Sequence, residues 1–290
     1  MKHIYEDLTD KTALVTGGTG GIGKTTAQAL AGLGATVLIT GRDKKRGEHA
    51  VEEIKYLTGN KHVQLLLADL TSQTDIKQLA HHIKEHHDLH ILVNNAGGIY
   101  TERIHTKDGI EATWALNYMA PFLVTKLLLP LLEKSGTSRI VNVNAASPPW
   151  SKLNIQDIED TEVYRPLHVY GQSKLANLLF TYELARQLDG TSVTVNAVNP
   201  GGADTALSRT MIHSTIFPWY LKMAATIMNQ FSSNEKAAVS SVVAAAAVQF
   251  AGKSGLYLNP TGKPVKSARA SYNQQLARQV WEWGESRALI

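Results

Sequence analysis

Short apolar strands alternate with longer amphipathic helices over the first 200 residues, and this alternation restricts the fold more than any other feature. The apolar runs are continuous, as is typical of strands that are covered on both faces. The runs lie at 12–16, 35–40, 62–68, 90–95, 139–144 and 192–199, and the helical patterns at 21–33, 44–57, 73–87, 109–132 and 169–188. This order predicts an α/β fold: a Rossmann-type, doubly wound parallel sheet of about seven strands with helices on both faces.

The chain is long enough for one sizeable core, and nothing in it marks a boundary between domains. Its 290 residues contain no evident linker, internal repeat or low-complexity tract. We therefore expect residues 1–290 to form a single domain, with the dinucleotide-binding core and catalytic residues at about 10–200. The apolar, aromatic-bearing stretch 203–233 is predicted to be a substrate lid, and 234–290 to hold C-terminal helices and the last strand. The turn-rich stretch 146–168 predicts a long functional loop.

Charge and residue usage argue against several other classes of function. The net charge is +4, without a basic run interleaved with aromatics, so no nucleic-acid partner is expected. Cysteine is absent, which excludes disulfides and thiolate catalysis, and the His82/His86 pair lacks an evident third ligand, so no metal site is expected. The N-terminus has no apolar segment, and the runs 119–132 and 237–250 fall short of the roughly 20 residues that span a bilayer. We expect two buried helices there, no transmembrane anchor and a cytoplasmic protein.

A cluster of glycines follows the first predicted strand and opens the first predicted helix. Gly17, Gly21 and Gly23 stand in the stretch TGGTGGIG. Glycine permits a tight turn and a close approach of the backbone, so a pyrophosphate can bind the free N–H groups at the helix N-terminus. A glycine cluster alone is a weak signal, but its position inside the first βαβ unit is the context that supports it. We expect this loop to bind a dinucleotide.

The end of the second predicted strand, LITGRD, bears on the choice between NAD and NADP. A carboxylate at this point usually binds the ribose 2′-hydroxyl of NAD, whereas an arginine favours the 2′-phosphate of NADP. Arg42 occupies the stretch and predicts NADP(H) through a charge-assisted contact. Asp43 is the competing candidate, but it lies one residue further on and is typical of the N-cap of the next helix.

Tyr170 and Lys174 form a candidate acid/base pair at the start of an apolar helix. Because they are separated by four residues, their side chains share one face of the helix. An ammonium close to a phenol favours the phenolate and lowers the phenol pKa from about 10. A tyrosine tuned in this way can exchange a proton with a substrate oxygen while a nicotinamide transfers hydride. The pair therefore indicates redox chemistry at a carbonyl or alcohol carbon.

Three motifs together resemble the classical short-chain dehydrogenase/reductase family: TGxxxGxG at 16–23, NNAG at 94–97 and YGQSK at 170–174. The surrounding sequence is most similar to the retinol dehydrogenase and WW-domain oxidoreductase branch. The resemblance covers about residues 10–285. It implies a Rossmann fold, a nicotinamide cofactor and interconversion of an alcohol and a carbonyl, with Tyr170 as the general acid/base.

The resemblance also implies roles for residues outside the pair. Lys174 is expected to bind the nicotinamide ribose, and Asn117 to anchor a water that relays protons to Lys174. Asp69 matches a residue that contacts the adenine, and 200–205 matches the loop that holds the carboxamide. The full set of expected cofactor-binding residues is Thr16, Gly17, Gly21, Ile22, Gly23, Arg42, Asp69, Leu70, Asn95, Ala96, Gly97, Tyr170, Lys174, Pro200, Gly201 and Thr205.

One residue of the family pattern is missing. The family has a serine at the end of the fifth strand, in text like VNVSS, where its hydroxyl donates a hydrogen bond to the substrate oxygen. In VNVNAAS that position falls on Ala145, and the preceding position is Asn144. Ser147 has the same strand parity as Ala145, so a loop rearrangement can bring its hydroxyl to the substrate, although Pro148 restricts its backbone. Ser147 is therefore the candidate substitute.

Two further explanations of Ala145 remain open. Water or Asn144 can supply the donor, in which case the reaction is slowed on the order of 10²- to 10³-fold. Alternatively, the scaffold has left redox chemistry, either for cyclisation, isomerisation or dehydration by Tyr170 and Lys174 or for NADP(H) binding alone. The intact Tyr170, Lys174 and Asn117 favour an active oxidoreductase.

We therefore predict an NADP(H)-dependent oxidoreductase that interconverts a carbonyl and an alcohol on a bulky apolar small molecule. Aromatic and apolar residues in the two irregular segments suggest that substrate, namely Trp150, Phe217, Trp219, Tyr220 and Met223. The resemblance also allows a homo-oligomer, because family members pack the helices that carry Asn117 and Tyr170 against each other.

Overall fold

A parallel sheet of seven strands organises the protein. The computed structural model describes residues 4–145, 153–155, 158, 163–202, 210, 212, 219, 222–223, 226 and 233–289. In this part of the chain the strand order is β3-β2-β1-β4-β5-β6-β7, with every neighbouring pair parallel. The strands are β1 (Thr12–Val15), β2 (Thr36–Gly41), β3 (Val63–Leu67), β4 (Ile91–Asn94), β5 (Ser138–Val143), β6 (Val193–Val198) and β7 (Tyr257–Leu258). The predicted Rossmann-type sheet is confirmed.

Helices connect the strands and cover both faces of the sheet. They are α1 (Gly21–Gly32), α2 (Lys44–Thr58), α3 (Gln73–His86), α4 (Ala112–Trp114), α5 (Ala120–Lys134), α6 (Pro166–Gln187), α7 (Asn234–Ala246) and α8 (Gln274–Arg287). Five of them begin at a side-chain cap: Asp43, Ser72, Ser233 and Asn273 each accept a hydrogen bond from the N–H three residues later, and Glu111 caps α4. Each cap satisfies at least one of the N–H groups that a helix start leaves free.

Two apolar cores lie on opposite faces of the sheet. One includes Leu30, Ile39 and Ile54, from α1, β2 and α2. The other is richer in aromatic side chains, among them Tyr118 and Phe180, and is formed by α3 to α6 and α8. Because both faces are covered, the strands are continuous apolar runs, as the sequence pattern indicated.

The strand order reverses between β1 and β4, and this reversal positions the site. Crossovers on either side of such a point run in opposite directions, which leaves a crevice beyond the carboxyl ends of the two strands. The glycine loop follows β1, and the NNAG motif begins at the end of β4. The two motifs therefore meet at this crevice.

The helix predicted at 109–132 differs from the structure in its start and in its regularity. Gly109 has φ +75° and belongs to a turn, so the helix begins at Ala112, where the buried Glu111 side chain accepts the Thr113 and Trp114 N–H groups. A π-helical turn, Ala115–Met119, then separates α4 from α5. A π turn contains one more residue than an α turn, and apolar periodicity does not predict where it is inserted.

The apolar run at 119–132 belongs to a helical stretch that is longer than the run itself. Ala112–Lys134 is continuous over 23 residues and is long and apolar enough to cross a membrane. However, 72% of its most apolar window is buried inside this fold, against the sheet and its neighbouring helices. The core helix of a globular domain has the same composition, so this stretch is weak evidence for a membrane span.

Candidate active site

The glycine loop has the geometry that close approach to a ligand requires. Gly17 and Gly21 have φ +66° and +54°, backbone angles that residues with a Cβ rarely adopt. A Cβ on Gly23 would lie 2.4 Å from both the Gly17 carbonyl oxygen and Asn95 Nδ2. Gly20 precedes α1, and no described side chain accepts a cap hydrogen bond from the first N–H groups of the helix. These residues fit the pyrophosphate of a dinucleotide.

Thr16 and Asn95 fasten this loop to the end of β4. The Thr16 hydroxyl accepts the N–H groups of Asn95 and Ala96 at 3.0 and 3.1 Å. In return, Asn95 Nδ2 donates to the Thr16 carbonyl oxygen at 2.9 Å. Ile22 lies partly buried in the first turn of α1. The structure thus brings together the expected residues of the first and fourth strands.

At the end of β2, Arg42 and Asp43 have different surroundings. Arg42 is exposed and makes no ion pair or hydrogen bond with any other described residue. Asp43 Oδ1 accepts the Arg46 N–H at 3.0 Å, so Asp43 is the N-cap of α2, as its position indicated. Sequence reasoning missed Arg46, whose Nε donates to the Thr19 carbonyl oxygen at 3.2 Å and whose guanidinium lies against Gly20. Its spacing of four residues from Arg42 was the available signal.

Asp69 and Leu70, which are expected on the adenine side, lie in the turn after β3. Asp69 Oδ1 accepts the Thr71 N–H at 3.0 Å and the Thr71 hydroxyl at 2.8 Å. The side chain of Leu70 is buried in the aromatic-rich core. A contact from Leu70 to a nucleotide is therefore restricted to its backbone.

Tyr170 and Lys174 lie in the first turns of α6, beside the end of β5. Lys174 is 5% exposed, and its Nζ donates to the Val143 carbonyl oxygen at 3.2 Å. The same Nζ is 5.8 Å from the centre of the Tyr170 ring. Tyr170 keeps a partly exposed surface. The predicted acid/base pair is thus brought together on one face of the helix.

The pKa values of this pair differ from the sequence expectation. Burial lowers the pKa of Lys174 to about 8, because no carboxylate compensates the buried charge. Burial also raises the pKa of Tyr170 above its ordinary value, whereas the sequence predicted a lowered one. The physical reason is that the Lys174 ammonium is itself desolvated and donates to Val143, so it does not offset the burial of the phenol.

Asn117 lies in the π turn and is completely buried, unlike an ordinary mid-helix asparagine. Its side chain accepts the Gly98 N–H at 2.9 Å and donates to the Gly98 carbonyl oxygen at 2.8 Å and to Ser173 Oγ at 3.0 Å. Its main-chain oxygen accepts Asn177 Nδ2 at 3.2 Å. Sequence reasoning missed Ser173 and Asn177, although polar residues inside an apolar helix were a visible signal. Asn117 therefore joins the NNAG loop to α6.

The Gly97 backbone lies close to Lys174 and Asn117. A Cβ at this position would lie 3.0 Å from Asn117 Oδ1 and 3.2 Å from Lys174 Nζ, and the residue is exposed. A side chain here would crowd the ammonium group. Lys174 Nζ has three N–H donors and one acceptor among the described residues, so it fits the hydroxyl groups of a ribose.

Ala145 follows β5 at the position of the missing serine. The neighbouring Asn144 is 2% exposed; its Nδ2 donates to the Lys174 carbonyl oxygen at 3.1 Å and its Oδ1 accepts the Ala145 N–H at 2.9 Å. Asn144 therefore binds the main chain at Lys174, and one of its two amide N–H donors is used in this way. The Tyr257 hydroxyl, which sequence reasoning missed, donates to the Ala145 carbonyl oxygen at 3.2 Å. Ser147 lies outside the described residues.

The loop after β6 supplies the remaining expected residues. Pro200 is buried, and Gly201 has φ +74° and donates its N–H to Asn199 Oδ1 at 2.9 Å. Thr205 lies outside the described residues, as do Trp150, Phe217 and Tyr220. In the segment predicted to be a lid, Trp219 and Met223 are 73% and 51% exposed.

One edge of the sheet thus carries the glycine loop, an arginine at a strand end, and a tyrosine beside a buried lysine. A sequence profile of the short chain dehydrogenase family matches residues 11–215. The chain is 37% identical to the polyprenol dehydrogenase of Homo sapiens, covering 97% of this chain and 86% of that protein. It is 36% identical to the retinol dehydrogenase 13 of Homo sapiens, covering 97% of this chain and 84% of that protein.

Solved structures share the same fold. An uncharacterised protein from Mycobacterium paratuberculosis superposes with a TM-score of 0.76 at 26% identity, covering 98% of this chain and 95% of that one. The Pseudomonas aeruginosa RhlG/NADP active-site complex superposes with a TM-score of 0.70 at 26% identity, covering 90% and 98%.

The combination of fold and site defines an oxidoreductase that acts on CH–OH groups with a nicotinamide cofactor. The chain belongs to the short chain dehydrogenase family, in the branch that contains the polyprenol and retinol dehydrogenases.

The low pKa of Lys174 predicts opposite pH dependences for the two reaction directions. The tyrosine–lysine pair must lose a proton before it accepts one from an alcohol, and Lys174 sets this loss at about pH 8. The kcat/KM for alcohol oxidation should therefore rise as pH increases through about 8, and that for carbonyl reduction should fall. Rates measured from about pH 6 to 10 test this, and pH-independent rates in both directions would contradict it.

Proposed function

We propose that this protein is an NADP(H)-dependent oxidoreductase that interconverts an alcohol and a carbonyl on a bulky apolar small molecule. The observation that carries the proposal is the position of Lys174, whose buried ammonium lies next to the exposed Gly97 backbone and beside Tyr170. A bound nicotinamide supplies the hydride acceptor or donor. Tyr170 then exchanges the proton with the substrate oxygen, and Lys174 takes up or supplies that proton and binds the ribose hydroxyls.

Three observations support NADP(H) over NAD(H). Arg42 is exposed at the end of β2 without a partner among the described residues, so its charge is free for a 2′-phosphate. Arg46 adds a second guanidinium against the glycine loop. Asp43, the carboxylate that would favour NAD, is engaged as the cap of α2.

An apolar substrate agrees with the relatives and with the lid segment. The relatives are named for polyprenol and retinol, both alcohols with long hydrocarbon parts. Exposed Trp219 and Met223 offer apolar surface in the predicted lid. We therefore propose a long-chain or ring-bearing apolar alcohol and its carbonyl form as the substrate pair.

Ala145 supports a second candidate function, because it removes the usual donor to the substrate oxygen. Without that donor the same pair can serve a cyclisation, isomerisation or dehydration that needs proton transfer and no net redox, or the chain can bind NADP(H) without turnover. Ser147 remains a candidate substitute donor.

The proposed redox function predicts NADPH consumption that depends on Tyr170. With a panel of apolar aldehydes and ketones, including retinal, native protein should oxidise NADPH, and Tyr170→Phe should lower kcat by about 10²- to 10⁴-fold. NADPH affinity should stay within about threefold, because the substitution removes only the phenol hydroxyl. Loss of nicotinamide absorbance and titration of NADPH fluorescence measure the two quantities. Equal turnover by the native protein and Tyr170→Phe would refute the assignment.

Arg42 and Asp43 form a matched pair for testing cofactor choice. Arg42→Gln should raise the KM for NADPH at least about tenfold and leave that for NADH nearly unchanged, because only the charge partner of the 2′-phosphate is lost. Asp43→Ala should leave the preference unchanged and lower the free energy of unfolding by about 1 kcal/mol, because it removes a helix cap. If Asp43→Ala instead selectively weakens NADH binding, Asp43 is the ribose ligand.

Ala145→Ser distinguishes the two candidate functions. If the native enzyme works without its usual donor, restoring the hydroxyl should raise kcat for carbonyl reduction, by up to about 10²-fold. Ala145→Gly is the control, because it changes the same side chain without adding a donor. The redox proposal fails if native protein binds NADPH without turnover and only Ala145→Ser shows activity.

A further inference from the structure

Helix α6 is buried on all sides within a single chain. Every residue from Gly171 to Leu184 is buried, and accordingly this helix is only weakly amphipathic. The sheet covers one side of α6, and α5 and α8 contribute to the same core. Consequently α6 presents no exposed face over this length.

Helix α8 supplies much of that cover through aromatic packing. The Trp281 ring is stacked on Phe180 of α6 at 5.8 Å and meets Phe122 of α5 edge-on at 5.2 Å. The centre of the Trp283 ring lies 5.5 Å from that of Trp114 and 5.7 Å from that of the Tyr118 ring. Aromatic side chains bury large areas, so this contact has the character of a permanent interface.

Polar contacts fix both the side and the end of α8. Glu285 forms an ion pair with Lys126 of α5. The buried Gln73 at the start of α3 donates to the Arg287 carbonyl oxygen at 2.9 Å and accepts the Leu289 N–H at 2.8 Å. The amide nitrogen and the amide oxygen of Gln73 therefore both bind the main chain at the C-terminal end of α8.

The π turn is held by hydrogen bonds to the active-site loop and α6 through Asn117, and to α8 through Tyr118. Asn117 binds Gly98 and Ser173 on the side of the active site. The next residue, Tyr118, donates its hydroxyl to the Val280 carbonyl oxygen of α8 at 2.6 Å. Gly284 allows this approach, because a Cβ there would lie 2.6 Å from Tyr118 Oη.

We propose that α8 acts as a built-in substitute for a second subunit: it occupies the α5–α6 face and clamps the π turn that positions Asn117. The occupied face prevents two chains from pairing through α5 and α6. Through Tyr118, α8 holds Asn117 and with it the loop next to Lys174. Only the effect on catalysis rests on the proposed function; the covered face and the fixed turn do not.

The covered face is tested by cross-linking. The chain has no cysteine, so the double variant Lys126→Cys/Glu285→Cys carries a single pair of thiols. A short bismaleimide should join them within one chain, giving monomer mass on a denaturing gel, and light scattering should give the same native mass before and after. Links between chains, or thiols that both react without joining, would overturn the proposal.

The clamp is tested at Gly284. Gly284→Ala places a methyl group against Tyr118 Oη, and should speed hydrogen exchange in the peptide that spans 115–119 and lower kcat by about 10- to 100-fold. The KM for NADPH should rise as well, because the NNAG loop that Asn117 holds belongs to the expected cofactor site. Gly32→Ala is the control, since the nearest atom to its Cβ is 4.0 Å away.

A double variant separates positioning from general damage. Gly284→Ala/Tyr118→Phe removes the nearer of the two groups that the new methyl group meets, the other being the Phe122 ring at 3.1 Å, and should bring exchange and kcat close to the level of Tyr118→Phe alone. Exchange at 115–119 in Gly284→Ala equal to that in Gly32→Ala would contradict the clamp. Faster exchange without any NADPH turnover in native protein would instead leave the clamp standing and refute the proposed function.

Discussion

Desolvation of the Lys174 ammonium is the constraint on which the rest of the site depends. The charge is 5% exposed and has one acceptor among the described residues, the Val143 carbonyl oxygen. A buried cation with unused donors is costly, and the burial lowers its pKa to about 8. Gly97 is exposed, carries no side chain and lies next to these donors, so we expect a bound ribose to satisfy them and to offset the cost of burial.

A series of hydrogen bonds between buried polar side chains holds α6, and with it Lys174, against the sheet. Asn94 donates to Asn142, Asn142 donates to Thr181, and Asn177 donates to the main-chain oxygen of Asn117. These bonds join strand to strand, strand to helix, and α6 to the π turn. Each of these amide groups donates to a partner, and meeting these donors requires one particular arrangement of the elements. The network thereby fixes the register of α6 against β5.

Features that depend on local sequence were predictable, and those that depend on tertiary contacts were not. The strands, the glycine loop and the spacing of Tyr170 and Lys174 follow from periodicity and motifs over a few residues. The π turn at Asn117 and the role of Asn144 depend on partners 19 and 30 residues away. The sign of the Tyr170 pKa shift depends on burial, which a spacing of four residues does not reveal.

The aromatic contacts of α8 are also tertiary contacts that local sequence does not predict. Trp281 and Trp283 meet residues of α4, α5 and α6 that lie far away in the chain, and nothing near the two tryptophans in sequence indicates these partners. The expected homo-oligomer rested on the resemblance alone, whereas the packed structure leaves α6 without an exposed face between Gly171 and Leu184.

The central claim is that this site moves a hydride between a nicotinamide and an apolar substrate although Ala145 offers no hydroxyl. The most direct measurement uses native protein with NADPH deuterated at C4, separately on each face, and retinal or an isoprenoid aldehyde. Mass spectrometry of the product then reports the transfer. We predict one deuterium on the carbinol carbon from one of the two cofactors, with equal amounts of alcohol and NADP⁺. Alcohol without deuterium from either cofactor, or an altered substrate with NADPH unconsumed, would contradict the claim.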